Sequence, residues 1–232
     1  TKTDYDGAKS VTWTWASGGS NSPAGNAAQK PANGNQTFTS GVTGSISGFK
    51  LVKTESATIT ATADTKSGTS STITAGAGAL NDFTLTTQNS QTETAGSSFS
   101  VTATGRDAEQ NTKTNYTGSK SVAWTWTATN SPGGDAPTKP ADGNETFSSG
   151  AMTKTGFTLT NASETPTITI TADANSGTTA SITVNPAAAN KLSFSTQPSS
   201  SATAGTNFST QPAVTVQDQY SNTVTGSSAS IM

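Results

Sequence analysis

The sequence predicts an all-β protein made of tandem sandwich domains, and three observations carry that prediction. Apolar residues alternate with Thr in short runs, as in Phe83 and Leu85, Phe99, Val101 and Ala103, and Val122, Trp124 and Trp126. A period of two places alternate residues on one face of a strand. Clusters of Gly, Asn, Asp and Pro separate these runs, the pattern of turns between short strands. Finally, whole motifs recur: "TKTDYDGAKSVTWTW" at 1–15 matches "TKTNYTGSKSVAWTW" at 112–126 without gaps, an offset of 112 − 1 = 111 residues. A duplication of this length is a repeat of entire domains.

The elements follow in chain order. Phe83 with Leu85 begins the complete unit, then Phe99 to Ala103, then Val122 to Trp126. A short strand around Phe147 comes next, followed by Phe157 with Leu159, Ile168 to Ala172, and Ile182 with Val184. No segment has a 3.6-residue apolar period, and the density of Thr and Gly opposes helix. About seven short strands in about 100 residues point to an immunoglobulin-like β-sandwich. The Cys–Trp–Cys mark of antibody domains is absent, because the chain has no Cys.

Further matches set the organisation. "QKPANGNQTF" (29–38) pairs with "TKPADGNETF" (138–147), "TITATADTKSGTSSTI" (58–73) with "TITITADANSGTTASI" (167–182), and "TAGSSFS" (94–100) with "TAGTNFS" (203–209). Mid-repeat offsets shorten to 147 − 38 = 109, which loop insertions such as Gln211–Pro212 absorb. The small-residue stretches "AGAGA" and "NPAAAN" read as joints, the second stiffer through Pro186. The expected domains are 1–79, an immunoglobulin-like domain without its first strands; 80–189, a complete one; and 190–232, the first strands of another. The chain reads as a mature or excised window on a longer array. The reading favours a chain that continues over exchange of strands between neighbouring copies.

Composition excludes several function classes. Charged residues make up 11% and hydrophobic residues 30% of the 232, with a net charge of −2. That balance gives no electrostatic footprint for nucleic acid or an anionic membrane surface. The longest apolar runs are a few residues, so no membrane insertion is expected. Without His or Cys there is no Ser-His-Asp or Cys-His arrangement and no usual zinc site. No cofactor and no enzyme activity are expected.

With the strands in place, residues 191–226 carry a resemblance. "TAG" precedes the second strand and is followed by Val214, Val216, Asp218, Asn222 and Val224 in a V-x-V-x-D-x-x-x-N-x-V run. Asp107 and Asn111 repeat its polar positions in the preceding unit, and "SGTTASITVNPAAAN" (176–190) closes that unit. The chain resembles the immunoglobulin-like repeats of large bacterial surface proteins, the broad group with invasin- and intimin-type domains. The resemblance spans essentially the whole chain and implies an extracellular, cell-surface stalk, fibre or adhesin.

Candidate chemistry is sparse. Asp-x-x-x-Asn supplies oxygens suited to calcium, but a single recurring acidic residue falls short of the six or so ligands required, and a turn capped by Asp explains it better. Lys9 and Lys120 with Asp64 and Asp173 are the repeated candidates for a Lys–Asn isopeptide bond, and all four lie beside turns, where surface charge suffices. Five Asn-x-Ser/Thr sequons (Asn35, Asn115, Asn144, Asn161 and Asn207) are expected by chance in so Asn- and Thr-rich a chain. Thr-x-Thr rows suit an ice-binding plane poorly, because sandwich sheets twist.

The tryptophans decide between the two main readings. Val11, Trp13 and Trp15 share one strand face, as do Val122, Trp124 and Trp126, and Thr or Ala takes the other. If the Trp face pointed outward, this strand would offer only Thr and Ala to the interior, so the core is the expected place. Trp15 and Trp126, nearer the long turn-rich loop (129–144 in the complete unit), are the positions expected to be partly exposed and the candidates for stacking on a sugar. The expected function is a structural or adhesive segment of a long extracellular repeat protein, partnered by neighbouring repeats, by neighbouring copies in a fibre, or by surface glycans and host ligands. The alternative is a carbohydrate-binding module array attached to an extracellular enzyme.

Overall fold

A computed structural model describes residues 2–225, and within them the chain is all-β, with no helix. It divides into two compact units, 1–82 with 105–116, and 83–104 with 117–232. The stretch 105–116 therefore groups with the first unit although it joins two strands of the second.

The second unit holds the complete sandwich. One sheet has the order β10-β9-β12-β13, formed by Gly143–Phe147, Gly118–Trp126, Ile168–Ala172 and Asn175–Thr178. The other has the order β11-β8-β6, from Ala151–Thr158, Ser98–Arg106 and Asp82–Thr87. Thr92–Thr94 (β7) pairs in parallel with Thr183–Asn185 (β14). Counting β6, β8, β9, β10, β11, β12 and β13 as one to seven, the first, second and fifth form one sheet and the third, fourth, sixth and seventh the other. The short strands β7 and β14 add a parallel contact between the start and the end of the domain, and together these make the immunoglobulin-like order. The predicted fold class is the observed one.

Alternation fills the space between these sheets. Phe83, Leu85, Phe99, Val101 and Ala103 face inward from one sheet; Val122, Trp124, Phe147, Ile168, Ile170 and Ala172 face inward from the other, and all are buried. The Trp124 ring meets Phe157 edge-on at 5.2 Å, and Phe83 lies 5.7 Å from Phe147, so aromatic contacts bridge the layers. Gly177 marks the tightest approach, because a Cβ there would collide with the Phe83 backbone carbonyl. The unit also contains an antiparallel pair, Lys191–Thr196 (β15) with Ala213–Gln217 (β16).

The first unit repeats only one of these sheets. Its order is β2-β1-β3-β4, from Gly34–Phe38, Gly7–Ser17, Glu55–Ala63 and Lys66–Thr69, with Ile73–Ala75 (β5) paired to the start of β3. Both copies turn the last hairpin through two residues at positive φ, Asp64–Thr65 (46° and 62°) and Asp173–Ala174 (47° and 61°). That is the type I′ geometry, whose twist matches the flanking strands.

Candidate functional site: an aspartate–asparagine clamp

The feature that recurs with full geometry is the loop after β8 and its counterpart after β16. In the first, Asp107 Oδ1 accepts the backbone N–H groups of Glu109 and Asn111, each at 2.9 Å. The Asp107 and Asn111 main chains also pair, N to O at 3.0 Å. This is the expected Asp-capped turn. The left-handed residue of this turn is Gln110 (φ 64°), and not Asn111, although Asn tolerates that conformation well. Asn111 is thereby left free for other work.

That work is long-range. The Asn111 side-chain amide donates to the Val52 carbonyl at 2.9 Å, and its oxygen accepts the Thr54 N–H at 3.0 Å. Asp107 Oδ2 accepts the Gly78 N–H at 2.8 Å and one proton of the Asn111 amide at 3.1 Å. The Glu109 carbonyl accepts the Ala24 N–H at 3.2 Å. One five-residue loop thus ties together three segments far apart in sequence.

The second copy reproduces each bond. Asn222 donates to the Thr160 carbonyl at 2.9 Å and accepts the Ala162 N–H at 2.8 Å. Asp218 Oδ2 accepts from Ala187 N–H at 2.9 Å and from the Asn222 amide at 2.8 Å, while Oδ1 takes the N–H groups of Tyr220 and Asn222. The Tyr220 carbonyl accepts the Gly133 N–H at 2.9 Å, and Ser221 carries the positive φ of 66°. The Tyr220 ring lies over Gly96, where a Cβ would strike its hydroxyl. Asp107, Asn111, Asp218 and Asn222 are all buried, at 4% exposure or less.

A buried carboxylate is costly unless its lone pairs are used. Burial alone would raise the Asp107 pKa. The N–H groups of Gly78, Asn111 and Glu109, with the Asn111 amide, outweigh that and hold the carboxyl below its ordinary value. With both oxygens committed to N–H donors, the geometry is a clamp and has no oxygen turned outward as a cation ligand would be. Among the described residues no cluster of three or more His, Cys, Asp or Glu could hold a metal.

The loop after β9 and its counterpart after β1 receive this clamp. Ser22 and Ser131 close matching turns, accepting from the N–H of Asn26 at 3.1 Å and of Asp135 at 3.0 Å. These turns present Ala24 and Gly133 to the clamp. A neighbouring contact is conserved in position and changed in chemistry. Asp82 binds Arg106 at 3.1 Å and Gln110 at 3.2 Å, whereas Lys191 in the Asp82 position donates to Ser221 at 2.7 Å.

The other candidates from the sequence sit apart from the clamp. Trp15 and Trp126 are half-buried, and Trp15 packs on Phe49 at 5.9 Å and closely on the Gly19 backbone. Lys9 and Lys120 form surface ion pairs with Asp64 at 3.9 Å and Asp173 at 3.2 Å. Trp13 and Trp124 take their backbone bonds from equivalent side chains, donating to Asn33 at 2.9 Å and Asp142 at 3.0 Å. That pairing explains why "PANGN" and "PADGN" recur with the Trp motif.

Fold and clamp together define the chain as an immunoglobulin-like β-sandwich protein in which the same buried Asp–Asn clamp occurs twice. No family model and no curated protein matches it. Among solved structures it is similar to FdeC, described as a broadly conserved Escherichia coli adhesin, with a TM-score of 0.36 and 16% identity over 94% of this chain. It spans 65% of that chain's length.

Proposed function

We propose that the chain is a spacer segment of a long extracellular repeat protein of a bacterial surface, a stalk, fibre or adhesin, with no catalytic role. Its domains are 1–79, 80–189 and 190–232, strung through the joints at 75–79 and 185–190. The observation that carries the reading is the clamp, present twice, 111 residues apart, with each long-range bond matched. A hinge meant to swing does not invest buried, fully hydrogen-bonded side chains at each joint. In this reading each repeat fixes its loop onto the repeat before it, so that distance and direction are transmitted along the array. Solitary linkers rich in small residues would behave as loose tethers instead.

The test is antibody labelling of intact source cells with serum raised against residues 1–232. Surface labelling without permeabilisation is the expected result. Labelling that appears only after lysis, or turnover of a polysaccharide by the purified chain, overturns the reading.

A further inference from the structure

The two copies of the Trp-bearing strand differ in the chemistry of one cap. Trp124 donates its backbone N–H to Asp142 Oδ1 at 3.0 Å, and Lys139 donates to the same oxygen at 3.3 Å. The Trp124 N–H first, and Lys139 after it, hold the Asp142 carboxyl below its ordinary value. Each position of this arrangement has a counterpart in the first unit. Lys30 stands for Lys139 (139 − 109 = 30), Asn33 for Asp142 (142 − 109 = 33) and Trp13 for Trp124 (124 − 111 = 13). Only the charge is missing, because Asn33 Oδ1 accepts the Trp13 N–H at 2.9 Å as part of a neutral amide.

Gly34 follows Asn33, and this is the one Asn-Gly pair in the chain. The fold does not require that glycine. Gly34 opens β2 without a positive φ, and a Cβ there would meet no atom within 4 Å. What glycine supplies is a main-chain nitrogen with no side chain to hinder its approach to the Asn33 side-chain carbonyl. The Trp13 N–H, aimed at Oδ1, is placed to stabilise the charge that such an attack develops on that oxygen. Asn33 and Asp142 are both exposed, so water reaches this position in the complete domain as well.

We infer that Asn33 is a self-modification site, where deamidation converts the cap of the first repeat into the carboxylate that the second already carries. The Gly34 nitrogen gives up its proton and bonds to Asn33 Cγ, the Cγ–Nδ2 bond breaks, and ammonia leaves with that proton. Water then adds across one of the two C–N bonds of the resulting cyclic imide. Opening at Cγ gives aspartate on an unaltered main chain; opening at the main-chain carbonyl gives isoaspartate, with one extra carbon in the main chain. The sum is amide plus water to acid plus ammonia, with no change of oxidation state. In the folded chain aspartate is the stable outcome. It keeps Oδ1 on the Trp13 N–H and leaves the β1–β2 register, Val11 with Gly34 to Gly7 with Phe38, undisturbed. Isoaspartate closes to the imide again and so drains towards aspartate. The new carboxylate pairs with Lys30 as Asp142 pairs with Lys139, and takes the net charge from −2 to −2 − 1 = −3.

Ageing the folded polypeptide of residues 1–232 at mildly alkaline pH, followed by peptide mass mapping, tests the proposal. The expected result is a gain of about 1 Da at Asn33, with aspartate exceeding isoaspartate. The same chain aged in urea should give mainly isoaspartate, because no strand register then selects between the products. Gly34→Val has open space for its side chain and should fold with an unchanged far-ultraviolet spectrum, yet keep its mass at Asn33. Asn33→Asp, made directly, should reproduce the NMR spectrum of the aged chain. Its Trp13 amide should exchange more slowly than in the fresh chain by about threefold or more, since a charge-assisted bond is the stronger. No gain of mass at Asn33 in the folded chain, isoaspartate as its main product, an equal gain in Gly34→Val, or an unslowed Trp13 amide in Asn33→Asp would each overturn it. None of these results bears on surface labelling, so the spacer reading stands or falls separately.

Discussion

Asn111 and Asn222 make the same two bonds with different partners: each donates to a main-chain carbonyl, Val52 or Thr160, and accepts from the N–H two residues further on, Thr54 or Ala162. A side-chain amide that bridges a carbonyl and an N–H of one extended segment behaves as a short piece of β-strand. Truncating Asn222 to Ala leaves the Thr160 carbonyl and Ala162 N–H without partners, and should cost about 2–3 kcal/mol. Asn222→Asp should cost more, since it sets a carboxylate against the Thr160 carbonyl and the Asp218 carboxylate. Hydrogen exchange at Ala162 and Ala187 reads the loss directly; unchanged protection of both amides in Asn222→Ala would refute the role of the side chain.

The clamp should weaken in acid. The Asp107 carboxyl is held below its ordinary value in the folded chain. A group whose folded pKa is depressed contributes stability that is fully present above its unfolded pKa, about 3.9 for Asp, and is lost as pH falls through the folded value. The Gly78 amide, which donates to Asp107 Oδ2, should therefore shift in NMR spectra with a midpoint below about 3.9. Its exchange protection should fall in the same window. Asp107→Asn should abolish that titration; a midpoint at or above the ordinary Asp value would contradict the bonding described.

Much of this was legible in the sequence. Alternation of Phe, Val and Trp with Thr is local chemistry, and it placed the inward faces of β6, β8, β9 and β12 correctly. The exact repeat of the Trp-x-Trp stretch did the same for β1. The role of Asn111 was not legible, because its partners lie more than fifty residues away and are main-chain atoms, which leave no mark in residue type. A turn also accounts for Asp-x-x-x-Asn by itself, so the pattern gave no reason to look further. The signal that was available is the retention of both residues at the 111-residue spacing while their neighbours changed, as in Gln110 against Ser221. Trp13 was read as core like Trp124; what covers each face depends on strands that the local pattern does not include.

The type I′ turns predict a gain. Thr65 and Ala174 occupy the second left-handed position at φ 62° and 61°, where Gly is preferred and a Cβ is strained. Ala174→Gly should raise stability by about 0.5–1 kcal/mol, relief of strain outweighing the added freedom of the unfolded chain. Thr65→Gly should do the same on the β3–β4 hairpin. Urea midpoints compared at constant slope check both, and a lower midpoint for either variant would count against the assigned geometry.

Equivalent tryptophans should differ sharply in what they contribute. Trp124 is 1% exposed and meets Phe157 edge-on at 5.2 Å beneath a second sheet. Trp13 meets Phe49 in nearly the same way at 5.4 Å, but its other side faces an apolar cleft. Truncating a fully buried Trp removes its transfer free energy and leaves a cavity, about 3–5 kcal/mol. At a half-buried site facing open space, water enters instead, the cavity term vanishes and much of the surface was never withdrawn. Trp124→Ala should therefore unfold the complete domain at moderate temperature, while Trp13→Ala should cost less than half as much. Acrylamide quenching separates them in the folded protein, with Trp13→Phe removing a strongly quenched component and Trp124→Phe a protected one. Equal costs for the two Ala variants would mean that the face around Trp13 is closed.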